Sequence, residues 1–214
     1  MEPSRFLFDG PEDAALTLVL AHGAGAPMNA PFMNTVALGV APGGTRVARF
    51  EFPYMHARRA GGRRGGAPDR GPVLEEAWSE AIAHLGGGQR LVIGGKSLGG
   101  RIASMVADRE GVAGLVCLGY PFHPPGKPER LRTKHLEDLR TPALIVQGTR
   151  DTFGAREDVA GYRLSEAIRV AWIEDGDHSF KPRASSGRTE SQNLAEAIAR
   201  VREFLSGLRP RTED

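Results

Sequence analysis

The heptapeptide GGKSLGG, residues 94–100, holds the residue types of two different chemistries. Gly-Lys-Ser ends the phosphate-binding loop G-x-x-x-x-G-K-[ST], whose lysine and hydroxyl serve a nucleotide and its magnesium. G-K-S-L-G equally fits G-x-S-x-G, a strand-to-helix turn that presents a serine for attack on a carbonyl. Spacing separates the two. With Gly95 as the second glycine of a phosphate loop, the first belongs at position 90, which is Arg90. Leu91 to Gly94 read mostly as the end of an apolar strand, so no loop is left to cradle a phosphate. Ser97 is therefore expected to be a nucleophile. Gly95 and Gly99 flank it where neighbouring backbone crowds the turn, and Gly94 and Gly100 add room. The helix expected over GRIASMVADRE points its amino end at the serine, where its dipole favours a developing negative charge.

A nucleophilic serine needs a base, and the base needs an orienting acid. In this type of turn the three follow one another as serine, acid, histidine. Of the six histidines, His22 precedes the serine in HGAG and reads as structural, beside the oxyanion loop. His56 lies in a Gly- and Arg-rich stretch, and His84 and His135 sit in apparent helices without a motif. His123, in GYPFHPP, is at the right sheet edge but precedes every good acid candidate. His178, in EDGDHSF, follows the last strand and is the expected base. Asp151, in GTRD just past the strand ALIVQG, is the expected acid. Asp175 and Asp177 are too close to His178 in a tight turn, and Glu157 and Asp158 belong to a helix start.

The tetrahedral intermediate of acyl transfer needs two donors aimed at its oxygen. One is expected from the backbone N–H of Leu98, the residue after the nucleophile. The other is expected from the glycine-rich HGAGA turn, at Ala24. Lys96 beside the nucleophile, Tyr54 and His123 are the candidate substrate contacts; Lys96 either reaches a substrate anion or is a plain exposed side chain of the turn. Cys117, inside GLVCLG, reads as a buried apolar filler. No His, Cys or carboxylate cluster has metal-ligand spacing, so neither a metal nor a cofactor is expected.

Short apolar runs alternate with amphipathic segments along the chain. ALTLVLA, RVARFEF, RLVIGG, GLVCLGY, ALIVQG and IRVAWIE read as strands. VLEEAWSEAIAHL, GRIASMVADRE and SQNLAEAIARVREFL space their apolar residues at helical intervals. Strands buried on both faces and separated by helices predict an α/β fold, a mostly parallel central sheet with helices on both faces. Ligands of such sheets bind at the carboxyl ends of the strands, where HGAGA, GKSLG, GYPFHPP, GTRD and GDHSF all fall.

The chain has 214 residues, 40% hydrophobic and 25% charged, which suits one soluble domain over residues 1–214. A net charge of +2 argues for neither nucleic acid nor a membrane as partner. The single cysteine excludes an internal disulfide and suits a reducing compartment. The amino-terminal stretch is polar and acidic where a signal peptide would be basic and then apolar. A cytoplasmic protein is expected. The segment from Pro53 to Gly71, with Arg58, Arg59, Arg63, Arg64 and Arg70, shows no periodicity. It reads as a mobile solvated loop, with a basic flap above the site as the sharper alternative.

AHGAGAPMNAPFM, GGKSLGGRIASMVA, CLGYPFHPPGKPERLRTKHL, TPALIVQGTRD and EDGDHSF together resemble an α/β-hydrolase. The similarity is closer to the family of the Tex30 proteins and the related domain of a KAT8 regulatory subunit. It implies an α/β-hydrolase fold with the serine, acid and histidine already argued, and a hydrolase-like activity. The connection between GLVCLGY and ALIVQG is too short for the large cap of bigger relatives. The expected function is hydrolysis of small acyl substrates through an acyl-enzyme. The alternative is a non-catalytic interaction module on a hydrolase scaffold, as the resemblance also implies for some relatives.

Overall fold

The computed structural model describes residues 6–59, 61 and 67–208. Among these residues seven strands form one sheet: β1 (Phe6–Asp9), β2 (Thr17–Ala21), β3 (Arg46–Phe50), β4 (Leu91–Lys96), β5 (Gly114–Leu118), β6 (Ala143–Gly148) and β7 (Ile168–Ile173). Their order across the sheet is β1-β3-β2-β4-β5-β6-β7, and only the β1–β3 pairing is antiparallel among those described. The central strands are buried from end to end, as their unbroken apolar runs require of a sheet covered twice.

Among the described residues six helices interleave with the strands: α1 (Pro31–Val40), α2 (Pro53–Arg59), α3 (Gly71–His84), α4 (Leu98–Val106), α5 (Arg156–Val159) and α6 (Glu190–Gly207). Alternate strand residues serve opposite faces. Leu18 and Leu20 of β2 join α1 and α6 in one apolar layer; Val19 and Ala21 join α3 and α4 in the other. Trp78 of α3 is fully buried and meets Phe50 edge-on at 4.7 Å. Such an aromatic pair adds ~0.5–1.5 kcal/mol beyond the area it buries. α6 opens on Thr189, whose side chain accepts the Gln192 N–H while Gln192 reaches back to the Thr189 N–H. That reciprocal cap satisfies two of the helix's orphan donors.

Three departures from the sequence reading have physical causes. β1 is a short edge strand in the polar amino-terminal stretch, where Phe6 is buried and Phe8 packs under Arg46. Residues 53–59, expected as loop, form α2: Pro53 starts the helix and Tyr54 and Met55 bury into the core. Arg63 and Arg64 of the same stretch lie outside the described residues. The segment LRTKHLEDL around His135, expected as helical, holds one 3-10 turn (Lys134–Leu136) with Thr133, Leu136 and Leu139 buried. The β5–β6 connection otherwise follows an irregular course and carries no helical cap.

Candidate active site

Ser97 occupies the turn between β4 and α4 with φ 50° and ψ −111°, a conformation that L-residues avoid. The flanking glycines are dictated by contact. A Cβ on Gly95 would fall 2.0 Å from the Ala21 carbonyl oxygen, and one on Gly99 would fall 2.3 Å from the same atom. The turn therefore lies directly on the backbone at the end of β2, which is what holds the serine out of the sheet. Arg101 is the first α4 residue to bond one turn back, its N–H reaching Ser97 O at 2.9 Å. The Leu98 N–H consequently stays outside the helical ladder, at the positive end of α4.

His178 and Asp151 arrive from the loops after β7 and β6. Ser97 Oγ lies 2.8 Å from His178 Nε2, and His178 Nδ1 lies 2.8 Å from Asp151 Oδ2. With Nδ1–H donating to the carboxylate, Nε2 is left to accept the serine proton. Asp151 is fully buried, and its other oxygen accepts the Phe153 N–H at 2.9 Å. The Phe153 ring lies against the imidazole with centroids 4.2 Å apart. Asp175 and Asp177 hold the loop instead of the ring. Asp175 pairs with Arg150 and Arg183, and Asp177 accepts the N–H groups of Ser179 and Lys181. The Arg183 bonds hold the Asp175 carboxyl below the usual carboxylate range.

The HGAGA turn is fastened from behind. His22 is fully buried, and burial lowers its pKa to about 4, so it is neutral at pH 7. Its Nε2 accepts the Phe52 N–H at 3.2 Å, which puts the ring proton on Nδ1 for donation to Gly23 O at 2.7 Å. That bond fixes the peptide plane carrying the Ala24 N–H. Tyr54 OH donates to Ala24 O at 3.1 Å, with the Arg58 guanidinium stacked on the Tyr54 ring. Arg49 of β3 and Glu51 just past its end, which the sequence reading did not single out, secure the next stretch. Arg49 donates to Met28 O at 3.1 Å and pairs with Asp9, while Glu51 accepts the Met28 N–H. The charged Arg49 inside a buried strand was the available signal, since buried charge demands partners.

Ala24, Ser97 and His178 line one cleft of about 340 Å³, walled by Ala30, Phe32 and Phe153. The wall is mostly apolar. Lys96 also lines it, but as a largely buried side chain, 9% exposed, with Nζ donating to the backbone oxygen of His178 at 2.6 Å. The expectation of an exposed lysine is corrected. Tyr54 and His123 are not brought to the cleft lining. Tyr54 supports the Ala24 turn, and His123 is buried, donating from Nδ1 to Pro124 O at 2.9 Å with Nε2 3.8 Å from Asp158.

Gln147 is a third residue that sequence reasoning passed over. From the interior of β6 its Nε2 reaches Asp151 Oδ2 at 2.9 Å, Gly154 O and Tyr120 O, and its Oε1 accepts the Tyr120 N–H at 2.7 Å. Cys117 is buried, as expected of a filler. Among the described residues no group of three or more His, Cys, Asp or Glu side chains could hold a metal ion. No described helix is long and apolar enough to cross a membrane.

Solved structures share this architecture over nearly the whole chain. A dienelactone hydrolase from Anabaena variabilis aligns at 20% identity and a TM-score of 0.71, covering 94% of this chain and 90% of that one. A serine hydrolase without a lid from Xanthomonas campestris aligns at 19% identity and 0.64, covering 97% and 90%. An α/β serine hydrolase homologue from Coxiella burnetii aligns at 21% identity and 0.64, covering 94% and 88%. At these identities the likeness is one of fold. The family model of the alpha/beta hydrolase domain matches residues 14–206, and the chain belongs to that family.

Proposed function

We propose that the protein is a serine hydrolase of small carboxylic ester or related acyl substrates. The observation that carries this reading is the unbroken chain from Ser97 Oγ through His178 to Asp151, each link at 2.8 Å. His178 takes the Ser97 proton as the oxygen attacks the substrate carbonyl. Asp151 holds the imidazole in the accepting tautomer and stabilises the imidazolium. The N–H groups of Leu98 and Ala24 receive the oxyanion. His178 then protonates the leaving group and activates the water that hydrolyses the acyl-enzyme. The esterase, lipase and dienelactone hydrolase among the structural neighbours support an acyl-transfer reading.

A cleft of about 340 Å³ walled by Phe32 and Phe153 suits a short or compact acyl group. Each methylene that protrudes forfeits ~0.8 kcal/mol of burial, so turnover peaks at short chains. The Tex30-like subgroup and a cytoplasmic location remain part of this reading. The blocks around HGAGA, GKSLGG and GYPFHPP support the first, and a lone buried cysteine suited to a reducing compartment supports the second.

The test is hydrolysis of activated esters of increasing acyl length by wild type and Ser97→Ala. Activity that falls by a factor on the order of 10⁴–10⁶ in the variant is the expected result. Equal rates in the two proteins would remove Ser97 from the mechanism and restore the interaction-module alternative.

A further inference from the structure

Lys96 is the residue before the nucleophile, yet its side chain turns away from solvent. It passes over the Phe32 ring, with Nζ 5.5 Å from the centroid, and ends on the backbone oxygen of His178 at 2.6 Å. The contact has its own space. Gly119, past the end of β5, has φ +66°, and a Cβ there would fall 2.6 Å from His178 O and 2.9 Å from Lys96 Nζ. Three parts of the sheet edge thus meet at one hydrogen bond: β4 ends in the lysine, the residue after β5 leaves the gap, and the loop after β7 brings the carbonyl.

An ammonium this deeply buried is an expensive way to hold one carbonyl. Of the elements around it, the loop after β6 supplies Asp151 and the loop after β7 supplies Asp177 and His178. Phe32 of α1 and Gly119 carry no charge. The two carboxylates favour the charged lysine, but burial outweighs them and lowers its pKa to about 8. A charge-assisted bond is roughly twice as strong as a neutral one, so the clamp is tightest while the lysine is protonated.

We propose that Lys96 is a positioning residue that, as an ammonium, clamps the His178 backbone to the nucleophile turn, so that reactivity of Ser97 depends on its protonation. The proposal rests on the reading of Ser97 and His178 as nucleophile and base. It assigns Lys96 to the base rather than to substrate.

The test is the rate of Ser97 labelling by a fluorophosphonate probe between pH 6 and 10. Wild type, Lys96→Met and Lys96→Gln are compared, with the melting temperature of each. Labelling of wild type is expected to decline as pH rises through about 8. Both variants are expected to react about tenfold or more slowly at pH 7, as small misplacements of catalytic groups cost, and to lose the alkaline decline. Lys96→Met should melt no lower than wild type, which separates positioning from scaffolding. If it does not fold, Lys96→Gln, which keeps a polar head, is read alone. A wild-type profile without the alkaline decline overturns the proposal, as does a variant that reacts normally or that reacts slowly yet keeps the decline. Those results leave the nucleophile reading standing. Wild-type protein that takes no label at Ser97 overturns the nucleophile reading itself, and the proposal with it.

Discussion

Gln147 and His22 share a job: each is an uncharged, buried polar side chain that aims a group it does not itself react with. Gln147 joins the Tyr120 backbone to the Asp151 carboxylate, so two loop ends keep a fixed spacing. Replacing it by leucine leaves the Tyr120 N–H buried and unpaired, which costs ~1–3 kcal/mol. The freed Asp151 carboxylate then orients His178 less well, and kcat should fall by about 10- to 100-fold with KM little changed. Urea unfolding and steady-state ester hydrolysis on Gln147→Leu check both halves; full kcat in a destabilised variant would show that Gln147 serves the fold alone. Ser97, Asp151 and His178 were legible in the sequence because glycines and chain order constrain them locally. His22 was legible as a support of the HGAGA turn, but its bond to Phe52, 30 positions on, and the bond of Gln147 to Tyr120, 27 positions back, are announced by nothing in their immediate neighbourhood.

At the scale of elements, the turn between β4 and α4 depends on β2 as much as on its own residues. The Ala21 carbonyl lies where side chains at 95 and 99 would have to go. Gly99→Ala must push α4 off β2 or move the turn, and overpacking of this kind costs ~1–3 kcal/mol or more. Denaturant midpoints should show that loss, and Ser97 should lose reactivity in whatever fraction stays folded; an alanine tolerated at full stability and activity would contradict the packing described. The six strands with unbroken or alternating apolar runs, and the long helices α3, α4 and α6, could be read from periodicity. β1 and α2 could not. Each is short, and each exists because tertiary contacts bury Phe6, Tyr54 and Met55, a stabilisation that local pattern does not record.

For the molecule as a whole, the buried His22 and the half-buried His135 contribute to the response to acid. His22 and His135 both have pKa values lowered from 6.5 to about 4, His22 chiefly by burial and His135 by burial and then by Arg101. Between those limits the unfolded chain binds protons that the native state does not, so stability is present above about 6.5 and lost as pH falls towards 4. His135→Gln, which lies away from the cleft, should shrink the fall in urea midpoint between pH 7 and 5; an unchanged fall would exclude that histidine as a source. The uncapped β5–β6 connection has a kinetic counterpart. A hinged helix over a nucleophile must open before substrate can enter, and an oil surface favours the open form by covering its apolar underside. Here that connection has no hinged helix to move, so rate should climb smoothly as an ester substrate passes from monomers through its solubility limit into micelles or droplets. A sharp jump at that limit would mean that some other part of the chain opens at an interface.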